Sequence, residues 1–158
     1  MARLTSIEPG FYRIPLPTVL TDSTHGEMKA FELNTVRLRD ADGAEGTGYT
    51  FTVGRNGGAI DSVLTREMTE LMAGEDADTI ERLWLKAWWA LHYGGRGGPT
   101  VLALSAFDMA LWDLKARRAN LPLWRLLGGY DPHVPCYAGG IDLDLPLDDL
   151  LRQTDGNL

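Results

Sequence analysis

Hydrophobic and polar positions in the first third of the chain indicate β-strands. Residues 7–16, 30–39 and 46–53 are rich in β-branched and aromatic side chains, with an imperfect period of two. Between the last two stretches, Asp42-Gly43 supplies the positive φ that a tight hairpin needs. Residues 18–29 are mostly polar and predict a loop. This part of the chain therefore predicts a small antiparallel meander.

From residue 59 onward the apolar period lengthens to that of an α-helix. The first helix is predicted to end at Gly74, and a second begins near Asp78. A third helix begins at Pro99 and carries apolar side chains almost all round, so we expect it to be buried on most sides. A short apolar helix over 121–127 follows. Strands followed by helices predict an α+β arrangement.

The last part of the chain has a different pattern. Residues 134–138 predict a buried strand, and residues 147–153 predict the first turns of a helix. A buried strand followed by a helix begins a βα unit, which needs a parallel neighbour strand. The sequence offers no second strand of this kind. We therefore divide the chain into 1–130 and 131–158, and expect it to be the front portion of a longer protein or to borrow strands from another chain.

The charge, the hydropathy and the cysteine content exclude several classes of protein for this chain. The net charge of −7 argues against a nucleic-acid-binding surface, which needs clustered Lys and Arg. No apolar run approaches the roughly 20 residues of a membrane helix, and no signal core precedes the first strand. Cys136 is the only cysteine, which excludes an internal disulfide and fits a reducing compartment. We expect a cytoplasmic protein without nucleic-acid or membrane partners, and a buried Cys136.

Several motifs have a structural interpretation that outweighs a chemical one. Asp108 and Asp113 lie about 140° apart around the third helix, so they do not converge, and Asp113 is placed to pair with Arg117. The glycine-rich loop 94–98 precedes a helix and could hold a phosphate, but a mobile or tightly packed connection is the stronger interpretation. The five tryptophans indicate a core or an interface with a neighbouring domain or subunit rather than a ligand cage.

None of the three histidines has a second His or Cys at a metal-ligand spacing. His25 lies in a polar stretch with Asp22 and Ser23, where it is either a ligand contact or part of a solvated loop. His92 is placed to interact with the C-terminal end of its helix, and His133 is a loop residue. The residues by themselves present no complete catalytic constellation.

Residues 105–115, SAFDMALWDLK, resemble the signature helix of the enolase superfamily, and more narrowly of its mandelate racemase/muconate lactonizing enzyme group. Residues 120–129 continue the resemblance in the expected order. Residues 134–137 are similar to the family's first barrel strand, and residues 46–50 to a strand of its capping domain. The resemblance extends over nearly the whole chain.

This resemblance implies an α+β capping domain joined to the first βα unit of a TIM-type barrel. In the family, a base removes the proton next to a carboxylate, and Mg²⁺ stabilises the resulting enediolate. The family's Lys-x-Lys base motif, metal carboxylates and His-Asp dyad belong to later barrel strands, and no residue of this chain matches them. The resemblance therefore implies no catalytic residue and no metal ligand in this chain, with Mg²⁺ bound by barrel residues that it lacks.

The resemblance also implies which residues approach the substrate. Thr21, Asp22, Ser23, Thr24 and His25 correspond to the capping loop that closes over it, and Tyr49, Thr50 and Phe51 correspond to the approach to a second loop. Polar donors in a closing loop suit a hydroxylated carboxylate substrate, because buried hydroxyl groups need partners.

The expected function is thus the N-terminal part of a Mg²⁺-dependent acid-sugar dehydratase, with a hexarate such as galactarate or talarate as substrate. A racemase, epimerase or cycloisomerase of the same superfamily is one alternative. The other is a non-catalytic cap fragment that acts as a binding or assembly module.

Overall fold

A computed structural model describes residues 2–140 and 143–157 of the chain. Three antiparallel strands, β1 (Leu4–Asp22), β2 (Gly26–Asp40) and β3 (Glu45–Thr52), form one sheet in sequence order. The predicted meander is therefore confirmed. The hairpin between β2 and β3 turns at Gly43, whose φ of 85° is the positive value that the Asp-Gly pair predicts.

The predicted loop over residues 18–29 is wrong. Leu20, Thr21 and Asp22 pair with Met28, Glu27 and Gly26, so the two strands continue to a turn at residues 23–25. Backbone pairing does not depend on apolar side chains, which is why a polar composition conceals it. The register shifts between Pro15 and Leu20, where the prolines at 15 and 17 can donate no ladder hydrogen bond.

The helices follow the predicted order. The first begins as α1 (Gly57–Ser62), continues as a π-helical stretch (Val63–Met68) and ends as α2 (Thr69–Met72) before Gly74, whose φ is 72°. The others are α3 (Ile80–Ala90), a 3₁₀ turn (His92–Gly94), α4 (Gly98–Arg118), α5 (Leu123–Leu126) and α6 (Leu147–Asn157).

The core lies between one face of the sheet and the helical layer. Alternate residues of β2 face inward, and Val36 and Leu38 are fully buried against the helices. Phe107 and Leu111 of α4 and Ile60 of α1 belong to the same cluster. As expected from its apolar surface, α4 is the most enclosed helix of the described residues, with eight buried positions.

Two glycines let α4 lie directly on β3. A Cβ atom at Gly48 would be 1.9 Å from the carbonyl oxygen of Ala106 and 2.6 Å from the amide nitrogen of Ala110. A Cβ atom at Gly46 would be 2.3 Å from the carbonyl oxygen of Ala110. Only glycine permits this distance between the two backbones.

An ion pair with a buried carboxylate links the C-terminal end of α4 to the sheet. The Asp40 side chain is completely buried; it accepts the backbone N–H groups of Asp42 at 3.0 Å and Ala44 at 2.9 Å and pairs with Arg118. Burial by itself would raise the pKa of the Asp40 carboxyl, but the hydrogen bonds from Arg118 and Ala44 outweigh it and lower that pKa below its usual value.

The predicted strand over residues 134–138 is not formed. Residues 131–140 have no regular secondary structure; Val134 is 79% exposed and Tyr137 is 94% exposed. Cys136, expected to be buried, is exposed as well. A strand needs hydrogen-bonded neighbours, and every strand of the described residues belongs to the meander. The helix predicted over 147–153 is confirmed as α6, and the division of the chain at residue 130 stays a prediction.

Replacing Gly48 by Ala should destabilise the protein strongly, because the new methyl group would meet the backbone of α4. We expect a loss of about 3 kcal/mol or more in the free energy of unfolding, measured by urea denaturation of the full chain. Gly58→Ala is the matched control: its Cβ would have no atom within 4 Å, so it should be neutral or slightly stabilising. Equal losses in the two variants would contradict the tight contact.

Replacing Asp40 by Asn should cost about 2 kcal/mol at neutral pH, because Arg118 loses its charged acceptor. The lowered pKa of folded Asp40 means that its contribution is present above the unfolded-state pKa and is lost as the pH falls through the folded-state value. The stability difference between wild type and variant should therefore shrink below about pH 4, measured by denaturation across pH. A difference that does not change with pH would refute the charged role of Asp40.

Candidate functional site

The turn at the tip of the first hairpin is held by the carboxylate of Asp22. Its Oδ1 atom accepts the backbone N–H groups of Thr24 at 2.8 Å and His25 at 2.5 Å, which makes an Asx turn. Its Oδ2 atom lies 2.8 Å from Nδ1 of His25. The backbone hydrogen bond from His25, and next its imidazole, lower the pKa of Asp22. Asp22 therefore shapes the turn, and both of its oxygens are engaged within it.

His25 presents its second ring nitrogen away from this pair. An ionised carboxylate can only accept hydrogen bonds, so Nδ1 of His25 donates to Asp22 and the Nε2 atom remains for another partner. The His25 side chain is half exposed. Its position at the tip is set by the same carboxylate that sets the turn.

A groove of about 670 Å³ lies between this turn, the end of β3 and the beginning of α4. Its floor and walls combine an aromatic ring and aliphatic groups with polar side chains, one guanidinium and one carboxylate. The residues that matter for its chemistry are Thr24, His25, Glu27, Phe51, Arg55, Asn56 and Leu102. The Glu27 carboxylate is paired with Lys29. Its volume suits a small molecule.

The residues expected to approach the substrate do not all lie in one cavity. Thr24, His25 and Phe51 line the groove, whereas Ser23 lies exposed in the turn. Thr21 lines a separate cavity of about 390 Å³ together with Asp144, and its carbonyl oxygen accepts the N–H of Leu143 at 3.1 Å.

The three residues from β3 do not form one surface. Tyr49 and Phe51 are more than half exposed on the outer face of the sheet, and Thr50 is 8% exposed on the opposite face. This follows from the alternation of side chains along a strand. A role for any of these residues in substrate binding stays a prediction.

The structure adds two residues to the site that the sequence analysis did not select. Arg55 and Asn56 follow β3 in the segment 53–56, and both line the groove. Gly54 and Asn56 have φ values of 86° and 69°, so this segment bends sharply before α1. The signal in the sequence is the Gly-Arg-Asn-Gly-Gly run directly after a predicted strand, which indicates a polar loop.

The structural interpretations of the acidic residues in α4 agree with the contacts. The Asp113 carboxylate accepts a hydrogen bond from Nε of Arg117 at 2.9 Å, which confirms the predicted pair. It also accepts the backbone N–H of Thr47 at 2.8 Å, which links α4 to β3. Asp108 is half-buried, and desolvation raises the pKa of its carboxyl. The two carboxylates lie in different surroundings on α4 and form no acid–base pair.

Aromatic contacts occupy the loop 94–98 and its surroundings. The guanidinium of Arg96 lies 4.5 Å from the ring centre of Trp88 and 4.8 Å from that of Trp89. His92 contacts the carbonyl oxygen of Trp89 at 2.6 Å, as its place at the helix end predicts. Trp89 is 60% exposed, while Trp84 and Trp88 stack at 5.0 Å beside the core. Residues 94–98 are all exposed, so the loop is not a tightly packed connection, and the guanidinium of Arg96 lies against the two tryptophan rings.

Across residues 2–140 and 143–157, no group of three or more His, Cys, Asp or Glu side chains could hold a metal ion. The described residues therefore do not fit a Mg²⁺ centre. Among the same residues, no helix has the length and apolar character needed to cross a membrane.

Comparison with known proteins places these features in a family. The chain matches the model of the mandelate racemase/muconate lactonizing enzyme N-terminal domain over residues 11–128. It is 56% identical over 149 residues to 3,6-anhydro-alpha-L-galactonate cycloisomerase of Streptomyces coelicolor, covering 94% of this chain and 41% of that protein. It is 37% identical over 146 residues to L-talarate/galactarate dehydratase of Salmonella typhimurium, covering 88% of this chain and 36% of that protein.

Solved structures agree with the sequence matches. The crystal structure of a racemase from Streptomyces coelicolor A3(2) with bound magnesium superposes with a TM-score of 0.95 at 55% identity, over 97% of this chain and 43% of that one. The crystal structure of L-talarate/galactarate dehydratase from Salmonella typhimurium LT2, liganded with Mg and L-lyxarohydroxamate, gives a TM-score of 0.89 at 32% identity. The match covers 97% of this chain and 40% of that one. The chain thus spans about two fifths of the length of these relatives.

The predicted capping fold and the resemblance noted in α4 are both confirmed by these matches. The family match includes most of the sheet and every helix through α5. The chain therefore belongs to the family of mandelate racemase/muconate lactonizing enzyme N-terminal domains.

Proposed function

We propose that this chain is the substrate-covering cap of a larger Mg²⁺-dependent enzyme that removes the proton next to the carboxylate of a sugar acid. The observation that carries the proposal is the groove that is lined both by His25 of the turn at 23–25 and by Arg55 and Asn56 of the loop 53–56. Relatives that share this fold are named for the sugar acids that they convert.

The side chains of the groove suit a polyhydroxy carboxylate. Thr24, His25 and Asn56 offer hydrogen-bonding groups, which buried hydroxyl groups of a substrate require. Arg55 offers a guanidinium, the side chain best matched to a carboxylate. Phe51 and Leu102 supply apolar walls that exclude water and strengthen these polar contacts.

The groups that perform the proton transfer are proposed to lie outside this chain. The described residues contain no group of His, Cys, Asp and Glu side chains that could hold a metal ion, and Asp108 and Asp113 of α4 form no acid–base pair. The bases and the Mg²⁺ ligands are therefore assigned to the remainder of the larger enzyme, and this chain contributes binding and specificity. Magnesium is present in the solved structures of both relatives described above.

Cycloisomerisation of an anhydro sugar acid is the reaction that the similarity favours. The 56% identity with the Streptomyces cycloisomerase covers nearly the whole chain, and the match to the talarate/galactarate dehydratase is weaker. Dehydration of a hexarate or an aldonate is the second candidate. It is supported by that dehydratase and by a D-mannonate dehydratase of Caulobacter that is 41% identical over 96 residues.

We also propose that the whole protein is a homo-oligomer in the cytoplasm. The exposed indole of Trp89, beside Arg96, is the kind of surface that subunit interfaces bury. A role as a non-catalytic binding or assembly module is the competing proposal, and activity of the full-length protein decides between the two.

The first test is turnover by the full-length protein with Mg²⁺ on a panel of sugar acids that includes 3,6-anhydro-L-galactonate, galactarate, talarate and mannonate. We expect conversion of the anhydro sugar acid to a product of equal mass, which is separated from the substrate by chromatography and identified by mass spectrometry. A product lighter by one water would instead indicate dehydration. A protein that converts no sugar acid, although folded and supplied with Mg²⁺, would overturn the proposed activity and favour the non-catalytic module.

The second test removes the guanidinium of the groove. Arg55→Ala in the full-length enzyme should raise KM for the sugar acid by about tenfold to a hundredfold, because a charged hydrogen bond is lost, with a smaller effect on kcat. Arg66→Ala is the matched control, since Arg66 is an exposed helical residue outside the residues that line the groove. If the two variants have the same KM, Arg55 does not belong to the binding site.

A further inference from the structure

Glu32 is a buried carboxylate beside the loop that carries Arg55. It lies on the inward face of β2 and is 7% exposed. Its Oε1 atom accepts Nη1 of Arg13 from β1 at 3.1 Å. Its Oε2 atom accepts the hydroxyl of Thr52 at 3.1 Å and the backbone N–H of Gly57 at 2.8 Å. One side chain therefore joins all three strands to the start of α1.

The two partners of Oε2 are the two ends of the loop 53–56. Thr52 is the last residue of β3, and Gly57 is the first residue of α1. A single oxygen atom thus holds both ends of a four-residue segment. Glu32, which sets the distance that this segment must span, is 20 residues from one end and 25 from the other in sequence.

Gly57 is held on both sides by side chains of β2. Its N–H donates to Glu32, and its carbonyl oxygen accepts Nδ2 of Asn34 at 3.1 Å. Asn34 is fully buried, so neither contact competes with bulk water. A Cβ atom at Gly57 would lie 2.7 Å from Oε2 of Glu32, so only glycine allows the carboxylate to approach this closely.

The conformation of the loop 53–56 requires stabilising contacts from outside the loop. Gly54 and Asn56 both have positive φ, and a non-glycine residue such as Asn56 is strained there, so the surroundings must offset the strain. The turn at residues 23–25 is held by its own Asp22, but the side-chain hydrogen bonds at the ends of the loop 53–56 come from β2.

We propose that Glu32 is a positioning residue that fixes the loop 53–56 and, through it, the placement of Arg55 and Asn56 against the substrate. It touches no substrate itself, since it is buried beneath the loop. The kinetic part of this proposal rests on the proposed function, because it requires that Arg55 and Asn56 meet the substrate.

The test compares two buried carboxylates of the same strand in the full-length enzyme. Glu32→Gln should raise KM for the sugar acid about tenfold and leave kcat within about twofold, because binding is lost without a change in the reacting groups. Asp40→Asn, at the other end of β2, should lower stability but leave KM unchanged. Both variants are measured at a temperature at which each is fully folded.

Hydrogen–deuterium exchange supplies a readout that does not depend on activity. In Glu32→Gln the amides of residues 53–57 should exchange at least about tenfold faster than in wild type, because the N–H of Gly57 loses its charged acceptor. In Asp40→Asn their exchange should be unchanged. Thr52→Val, which removes a single donor, should shift exchange and KM in the same direction by less, and it serves in place of Glu32→Gln if that variant does not fold.

The outcomes separate the two proposals. If Glu32→Gln and Asp40→Asn lose stability alike, and neither alters KM or loop exchange, Glu32 is merely a structural residue and the positioning role is refuted. If the wild-type enzyme converts no sugar acid, the proposed function fails while exchange at residues 53–57 still decides whether Glu32 holds the loop. Faster exchange without a change in KM would show that the loop is held by Glu32 but does not position the substrate.

Discussion

The contact between the backbones of β3 and α4 is the constraint on which the rest of this domain depends. Gly46 and Gly48 leave no side chain between strand and helix, so the helix axis is fixed relative to the sheet within the tolerance of van der Waals contact. Asp40 and Arg118 fix the far end of the same helix. Because the first turn of α4 forms one wall of the groove, the position of that wall follows from contacts made deep in the core.

The other two walls are held in different ways. The turn at residues 23–25 is stabilised within itself by Asp22. The loop 53–56 is stabilised from β2, by side chains that belong to the sheet. The groove is therefore built from one locally held turn and one loop whose ends are held by the sheet.

This distribution of roles agrees with the proposed division of labour within the larger enzyme. The cap presents hydrogen-bonding groups and a guanidinium, and the proposed proton transfer belongs to residues elsewhere. The chain as a whole carries a net charge of −7, and the groove contains both a cation, Arg55, and an anion, Glu27. Charges of both signs favour one orientation of an anionic substrate, with its carboxylate at Arg55, which is a source of specificity as well as affinity.

The sequence by itself determined the order of strands and helices, the Asp-Gly turn, the enclosure of α4 and the family. These are properties of neighbouring residues, because periodicity and turn chemistry act over a few positions along the chain. Only the tertiary structure decided that Thr50 faces the core while Phe51 faces the groove, that Arg55 and His25 line the same groove, and that residues 134–138 stay irregular. Each of these depends on partners distant in sequence or on neighbour strands that the described residues do not supply, and a hydrophobic pattern carries no information about such partners.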